Sequence, residues 1–178
     1  MGNYSLPTDT FTVAQVANGI ECRWRKFKVK LYSIILAITL VISALLGVII
    51  GGVSSWQSGL EVIYFAIVFF VVFGSLALGH YIAYRNVLRC IGRYPIYKVK
   101  FDNPRLGFVT NRCSSAAYFK VTVHTEDGDV EIDTRQMFTR AIIEALPFEN
   151  YVNKEAYVFY DEDRLQVYVI DLVENLPL

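Results

Sequence analysis

The side chains most able to do acid–base or nucleophilic chemistry in this chain are two histidines and three cysteines. His124 lies in a stretch with strand periodicity beside an acidic turn, where Glu126 or Asp133 could orient its ring for general-base catalysis. Cys113 follows Arg112, whose positive charge favours the thiolate. No histidine is near Cys113 in the sequence, however, and a histidine among exposed carboxylates is common on strands. We therefore predict no catalytic residue.

The remaining candidates for chemistry are two acidic clusters, at residues 126–129 and 161–163, and the cysteines. Carboxylates attract Ca²⁺, but neither cluster has the ligand spacing of an EF-hand loop, and both are typical of solvated hairpin tips. Cys22, Cys90 and Cys113 lack metal-site spacing, which indicates free thiols, with palmitoylation of the first two as the alternative. The sequence motifs of nucleotide-binding loops, zinc proteases and serine hydrolases are absent. We predict that the chain is not an enzyme and holds no cofactor or metal.

Two long apolar runs, at residues 31–53 and 60–84, determine where the histidines, cysteines and acidic clusters lie. Neither contains Lys, Arg or Asp, and Glu61 is their only carboxylate. A bilayer core about 30 Å thick requires about 20 helical residues, so each run is long enough to cross it. His80, near the inner end of the second run, is interpreted as an interfacial residue whose ring reaches the headgroups. The sequence thus predicts an α-helical membrane hairpin of two transmembrane helices.

Basic residues flank the two apolar runs only at the ends that lie away from the connecting loop. The connecting loop, residues 54–59, has no Lys or Arg, so the positive-inside rule places both termini in the cytoplasm and the loop outside, with the plasma membrane as the expected location. Residues 101–178 carry 14 acidic and seven basic residues, a formal charge of −7. This argues against a nucleic-acid partner, because there is no basic stripe to meet phosphates. The predicted membrane-proximal basic residues, here called the basic collar, are Arg23, Arg25, Lys26, Lys28, Lys30, Arg85, Arg89 and Arg93.

Small residues recur every four positions in both apolar runs. Such ridges let helix backbones approach closely in lipid, where packing drives association. The simplest use is packing of the two runs on each other; the alternative is a contact with a second copy or with a partner's helix. The predicted packing residues are Ser43, Gly47, Gly51, Gly74, Ser75 and Gly79.

The segment before the first run has the spacing of an amphipathic helix. We predict that residues 8–30 form this helix on the inner membrane surface, capped by Thr8 and weakened at Gly19. The alternative is a continuous extension of the first apolar run. The residues sharing the apolar face are Val13, Val16, Ala17, Ile20, Trp24 and Phe27.

Residues 93–178 have the pattern of a small α+β domain that is mostly β. Alternating apolar residues predict a long strand at 117–125 that turns into a second strand, and a later hairpin near the carboxyl end. Between them the spacing becomes helical over 138–146, ending at Pro147. This order suits a partly open barrel of the OB type with one helix, or another small α+β sandwich. The predicted strands are 96–101, 106–110, 117–125, 130–133, 156–160 and 165–171, with turns at 102–104, 126–129 and 161–164.

The predicted organisation is a cytoplasmic segment (1–30), a transmembrane hairpin with a helical neck that stops at Gly92 (31–92) and an acidic cytoplasmic domain (93–178). No motif in the sequence identifies a family. We predict a non-enzymatic membrane protein whose β-rich domain binds another protein, as an adaptor or an accessory subunit of a membrane complex. One alternative is an immunity factor that protects the cell from a toxin at the same membrane. Another is a small channel or transport component formed by oligomerised hairpins. The expected partners are the lipid bilayer, a protein and a second copy of the chain.

Overall fold

A computed structural model describes residues 5–8, 10–53, 56–106, 116–135, 137–139 and 146–176. The chain divides into two compact units. The helical unit is Arg25–Ala83, and the β-rich unit combines Met1–Trp24 with Tyr84–Leu178. These units group the amino-terminal segment Met1–Trp24 with the strands.

Three α-helices lie in the described part of the chain: α1 (Val13–Asn18), α2 (Ile20–Val53) and α3 (Trp56–Arg89). Thr12, not Thr8, caps α1. Its hydroxyl accepts from the N–H of Gln15, and the Gln15 side chain accepts from the N–H of Thr12 at 2.8 Å. The predicted break at Gly19 is confirmed, since α1 ends one residue before it and α2 starts one residue after it.

The two long helices, α2 and α3, contain 34 residues each. By length and composition both are able to cross a membrane, and no residue of their most apolar 18-residue windows is buried. This confirms the predicted pair of long apolar helices. After α3 the chain turns at Gly92, whose φ of +71° is in the left-handed region that favours glycine. Gly92 is therefore the helix stop that the sequence predicted.

The described strands of the β-rich unit form two small antiparallel sheets. The strands are β1 (Ile96–Lys100), β2 (Asp102–Leu106), β3 (Ala116–Thr125), β4 (Gly128–Asp133), β5 (Phe138–Thr139), β6 (Glu155–Asp161) and β7 (Gln166–Leu172). One sheet has the order β1-β6-β7; in the other, β3 lies between β2 and β4 and also pairs with β5. The two predicted hairpins, β3–β4 and β6–β7, are confirmed by their register.

Three local predictions are wrong. Residues 102–104, predicted as a turn, lie in β2 and pair with β3 across an irregularity in register. Phe138, predicted to start a helix, lies in β5 opposite Ala117; residues 140–145 of that helix lie outside the described residues, so the OB-type order is not established. Leu165, predicted to begin the last strand, has a φ of +48° and is 64% exposed, because it belongs to the turn between β6 and β7.

In the sheet β1-β6-β7, strands β6 and β7 are buried on both faces. One face packs against the other sheet in a core centred on Phe101, Phe119 and Phe138, whose ring centroids are 4.8–5.6 Å apart. The opposite face forms a second core that includes Phe159 and Ile170. The amino-terminal segment and the end of α3 cover this second face.

Candidate functional site

The candidate base, His124, lies on the exposed hairpin β3–β4. Its Nδ1 atom is 2.6 Å from Oδ1 of Asp129, the residue directly opposite in register, so its partner is neither Glu126 nor Asp133. Both side chains are more than half exposed, so water competes for the contact. Within the described ranges, no group of three or more His, Cys, Asp or Glu is placed to hold a metal ion. Cys113 lies outside the described residues.

Cys22 and Cys90 are buried thiols of the second core. The Cys90 thiol donates to the backbone carbonyl of Asn86 at 3.3 Å. Burial raises the pKa of Cys90 to about 12, and the nearby negative charges of Glu21 and Asp161 contribute to the same shift. The thiolate is the reactive form, so Cys90 is a packing residue in this fold and a poor substrate for acylation.

The helical unit brings together only part of the predicted small-residue ridges. Gly47 and Gly51 face Gly59 of α3: a Cβ atom built on Gly59 would lie 3.1 Å from the carbonyl oxygen of Gly47 and 3.1 Å from Cα of Gly51. Sequence reasoning missed Gly59, because it lies in the predicted connecting loop, residues 54–59. Gly74 and Gly79 have no described atom within 4 Å of a built Cβ. Among the other predicted packing residues, Ser43 is half-buried and Ser75 is exposed.

His80 and the basic collar also have defined surroundings. The His80 ring stacks on Tyr32 with centroids 5.6 Å apart, within the helical unit. Arg25, by contrast, is only 2% exposed. Arg23 reaches Asp171 at 3.6 Å. The exposed members of the collar are Arg23, Lys26, Lys30, Arg85, Arg89 and Arg93, and Lys28 is half-buried.

The cover layer of the sheet β1-β6-β7 consists of the end of α3, with Val87 and Cys90, and of the amino-terminal segment, residues 5–24, which we call the strap. At the β1 edge the N–H of Leu6 donates to the carbonyl of Ile96 at 2.8 Å. The strap then continues over the second core, where the ring of Phe11 lies 5.1 Å from that of Tyr157. The apolar face that we predicted to lie on the membrane surface therefore packs in large part on strands.

The strap ends on the opposite edge of the same sheet, at β7. Glu21, fully buried, accepts a hydrogen bond from the N–H of Val169 at 2.9 Å, and its other oxygen lies 3.7 Å from Nε of Arg135. Arg135 in turn lies over the ring of Tyr168 at 5.4 Å. An edge strand exposes unpaired backbone groups that can recruit other chains, and Glu21 satisfies one of them internally.

Gly19 makes the close approach of the strap to β7 sterically feasible. Ile170 is the extra residue of a bulge: Val169 lies opposite Val158, and Asp171 lies opposite Tyr157. A Cβ atom on Gly19 would lie 2.1 Å from the carbonyl oxygen of Ile170. Only a glycine fits at this position. The sequence pattern indicated Gly19 solely as a weak point in a helix.

Sequence reasoning missed Glu21 as a site residue, although one signal was present. Glu21 is the only acidic residue between Asp9 and Glu61, and it adjoins the apolar face at Ile20. A lone carboxylate on the border of an apolar face is costly to bury without a partner, and so it indicates a specific contact.

Comparisons of the chain with protein-family models, with curated proteins and with solved structures find no match. The function must therefore be argued from the two units themselves.

Proposed function

We propose that the chain is an integral membrane protein that crosses the bilayer twice, with both ends in the cytoplasm, and that its β-rich unit binds another protein. The observation that carries the topology is the strap. The residues up to the first turn of α2 and the residues from the end of α3 onward form one folded unit, joined by the Leu6–Ile96 and Glu21–Val169 hydrogen bonds. A unit built from both flanks lies on one side of the membrane, so the number of crossings between them is even.

The exposed surface of the long helices supports the membrane location. Large apolar side chains such as Val48, Tyr64 and Phe65 are mostly exposed in the helical unit. An apolar surface this extensive is unfavourable in water and favourable in lipid. The cytoplasmic assignment rests on the collar: Lys and Arg flank the helices on the side of the strap, and residues 54–59 have none.

Binding of a protein partner is supported by the outer face of the hairpin β3–β4. Asp129, Glu131 and Asp133 alternate along β4 with exposed side chains, and Lys120 and His124 pair with two of them. The apolar residues of β3, by contrast, are buried in the core. This polar face is accessible to the cytosol and favours a basic protein surface over nucleic acid.

The topology is tested with a thiol reagent that cannot cross membranes, applied to intact cells that express the full chain. Cys113 is first replaced by Ser, and Cys22 and Cys90 are left because both are buried. Ser55→Cys should then be labelled from outside, whereas Asp127→Cys, at the exposed β3–β4 tip, should be labelled only after permeabilisation. Labelling of Asp127→Cys in intact cells would contradict the proposed topology, because it would place the β-rich unit outside the cell.

The binding function is tested with a photocrosslinking amino acid at exposed positions of the full chain. A crosslinker at Asp127 or Glu131 should yield a heteromeric protein product, while one at Val71, exposed on α3, should yield lipid adducts. A product of two identical chains at Val71, together with ion flux in liposomes, would instead favour the channel alternative. Crosslinking to a toxin would favour the immunity factor.

A further inference from the structure

We propose that Arg85 and Arg89, at the end of α3, form a binding site for the headgroup of an anionic phospholipid. This inference rests on the proposed membrane topology. It concerns the last two turns of α3, which belong to the β-rich unit.

The two arginines are held on a fixed surface. On a helix with 100° per residue, Arg85 and Arg89 lie about 40° apart, and Val87 lies on the opposite side, about 160° from each. Val87, at 1% exposure, and Cys90, which directly follows the helix, at 3%, are buried in the second core, so the end of α3 is anchored. The arginine side is exposed. The guanidinium groups therefore extend from a backbone that is already ordered, which lowers the entropic cost of binding an anion.

The charge of this pair is not neutralised by nearby carboxylates. Within the described ranges, neither arginine forms an ion pair, whereas Arg23, Lys98 and Lys100 each have an acidic partner. No Asp or Glu occurs in the sequence between Glu61 and Asp102. The carboxyl end of a helix carries the equivalent of about −0.5 charge, which two guanidinium groups outweigh.

The geometry and position fit a lipid phosphate. Residues four apart on a helix are separated by about 6 Å along the axis, a spacing at which two guanidinium groups can hold one phosphodiester or two neighbouring headgroup oxygens. Arg85 directly follows the apolar run that ends at Tyr84. In the proposed topology this places both arginines at the level of the inner headgroups, where anionic lipids are concentrated.

The test compares lipid retention by the purified full chain in mild detergent, using native mass spectrometry with phosphatidylglycerol against phosphatidylcholine. The wild-type chain should prefer phosphatidylglycerol. Each arginine near the membrane surface contributes about fivefold to the affinity for an anionic lipid. Arg85→Gln with Arg89→Gln should therefore reduce the preference for phosphatidylglycerol about 30-fold. The control, Lys98→Gln with Lys100→Gln, removes the same charge at exposed positions of β1 and should retain the wild-type preference for phosphatidylglycerol.

Three results would overturn the inference. They are an equal affinity of the wild type for both lipids, an equal loss in the two double variants, and displacement of phosphatidylglycerol by millimolar inorganic phosphate, which would indicate a site for a small anion. Alkaline carbonate extraction of the same variants separates the two proposals. A wild type released from membranes refutes the membrane topology itself, whereas an embedded wild type without lipid preference refutes only the arginine site.

Discussion

The carboxylate of Glu21 accepts a hydrogen bond from the backbone N–H of Val169, 148 residues further along the chain. This single contact joins the start of the first long helix to the edge of the last strand. It is buried, so water cannot replace it. The β-rich unit is therefore a discontinuous structure whose sheet is completed by residues up to the first turn of the first long helix.

Replacing Glu21 should destabilise the β-rich unit in a graded way. Glu21→Ala leaves the buried Val169 N–H without an acceptor, which costs about 1–3 kcal/mol. Glu21→Gln retains an acceptor oxygen for the Val169 N–H and loses the attraction to Arg135, so it should cost less. Chemical denaturation of the full chain in detergent, followed by tyrosine and tryptophan fluorescence, measures the order. Equal losses in the two variants would show that the hydrogen bond to Val169 is unimportant.

Gly19→Ala should destabilise the same unit by about 1–3 kcal/mol, because its Cβ must displace the Ile170 carbonyl or shift the strap. The matched control is Gly52→Ala, since Gly52 has no described atom within 4 Å of a built Cβ and lies inside α2. The control should leave the β-rich unit unchanged. Thermal unfolding monitored by near-ultraviolet circular dichroism compares the two. A Gly19→Ala chain as stable as the control would contradict the close approach.

The strap itself can be tested at two residues of opposite exposure. Phe11→Ala removes a buried ring packed on Tyr157 and should cost about 3–5 kcal/mol. Val13→Ala, two residues later, alters a side chain that is 58% exposed and should change stability by about 0.5 kcal/mol or less. Limited proteolysis of the strands β6 and β7 reports the difference. Were the strap only a surface helix on the membrane, both variants would behave alike.

Cys90 should be unreactive in the folded chain. With a pKa of about 12 its thiolate is scarce at pH 8, so alkylation should be about 1,000-fold slower than after denaturation. The same raised pKa links stability to pH. Its contribution is fully present below pH 9 and is lost between about pH 9 and 12, as the unfolded thiol gives up its proton. The stability of Cys90→Ala should therefore decline less steeply than that of wild type in this window, as measured by denaturation at each pH. An identical slope would refute the shift.

The glycine contact in the helical unit predicts a difference between two identical substitutions. Gly59→Val should disrupt the packing of α2 on α3, because its side chain would meet the backbone at Gly47 and Gly51. Gly79→Val should be tolerated, because Gly79 has no described neighbour at that distance. Resistance to unfolding in sodium dodecyl sulfate, read from gel mobility, tests this. Greater disruption by Gly79→Val would indicate that the predicted ridge serves a second copy.

Local patterns were enough to predict many of the elements. Val121 and Val123 alternate with polar neighbours and predicted β3, and Gly128 marked the turn into β4. The two apolar runs predicted the long helices because a helix that meets lipid must be apolar over about 20 residues regardless of its contacts. Gly92 predicted the end of α3 because a left-handed backbone is a local requirement.

Other features depended on contacts between residues far apart in the chain. Phe138 has the spacing of a helix, but pairing with β3 and packing on Phe119 put it in a strand. The face of Ile20 and Trp24 is apolar whether it meets lipid or protein, so its pattern alone could not identify the strands as the surface on which it packs. The sequence by itself determined the two apolar helices, the hairpin turns and the charge of each segment, since these depend on neighbours along the chain. Only the tertiary structure decided that Gly19 and Glu21 close the edge of β7, because that edge exists only once strands distant in sequence have paired.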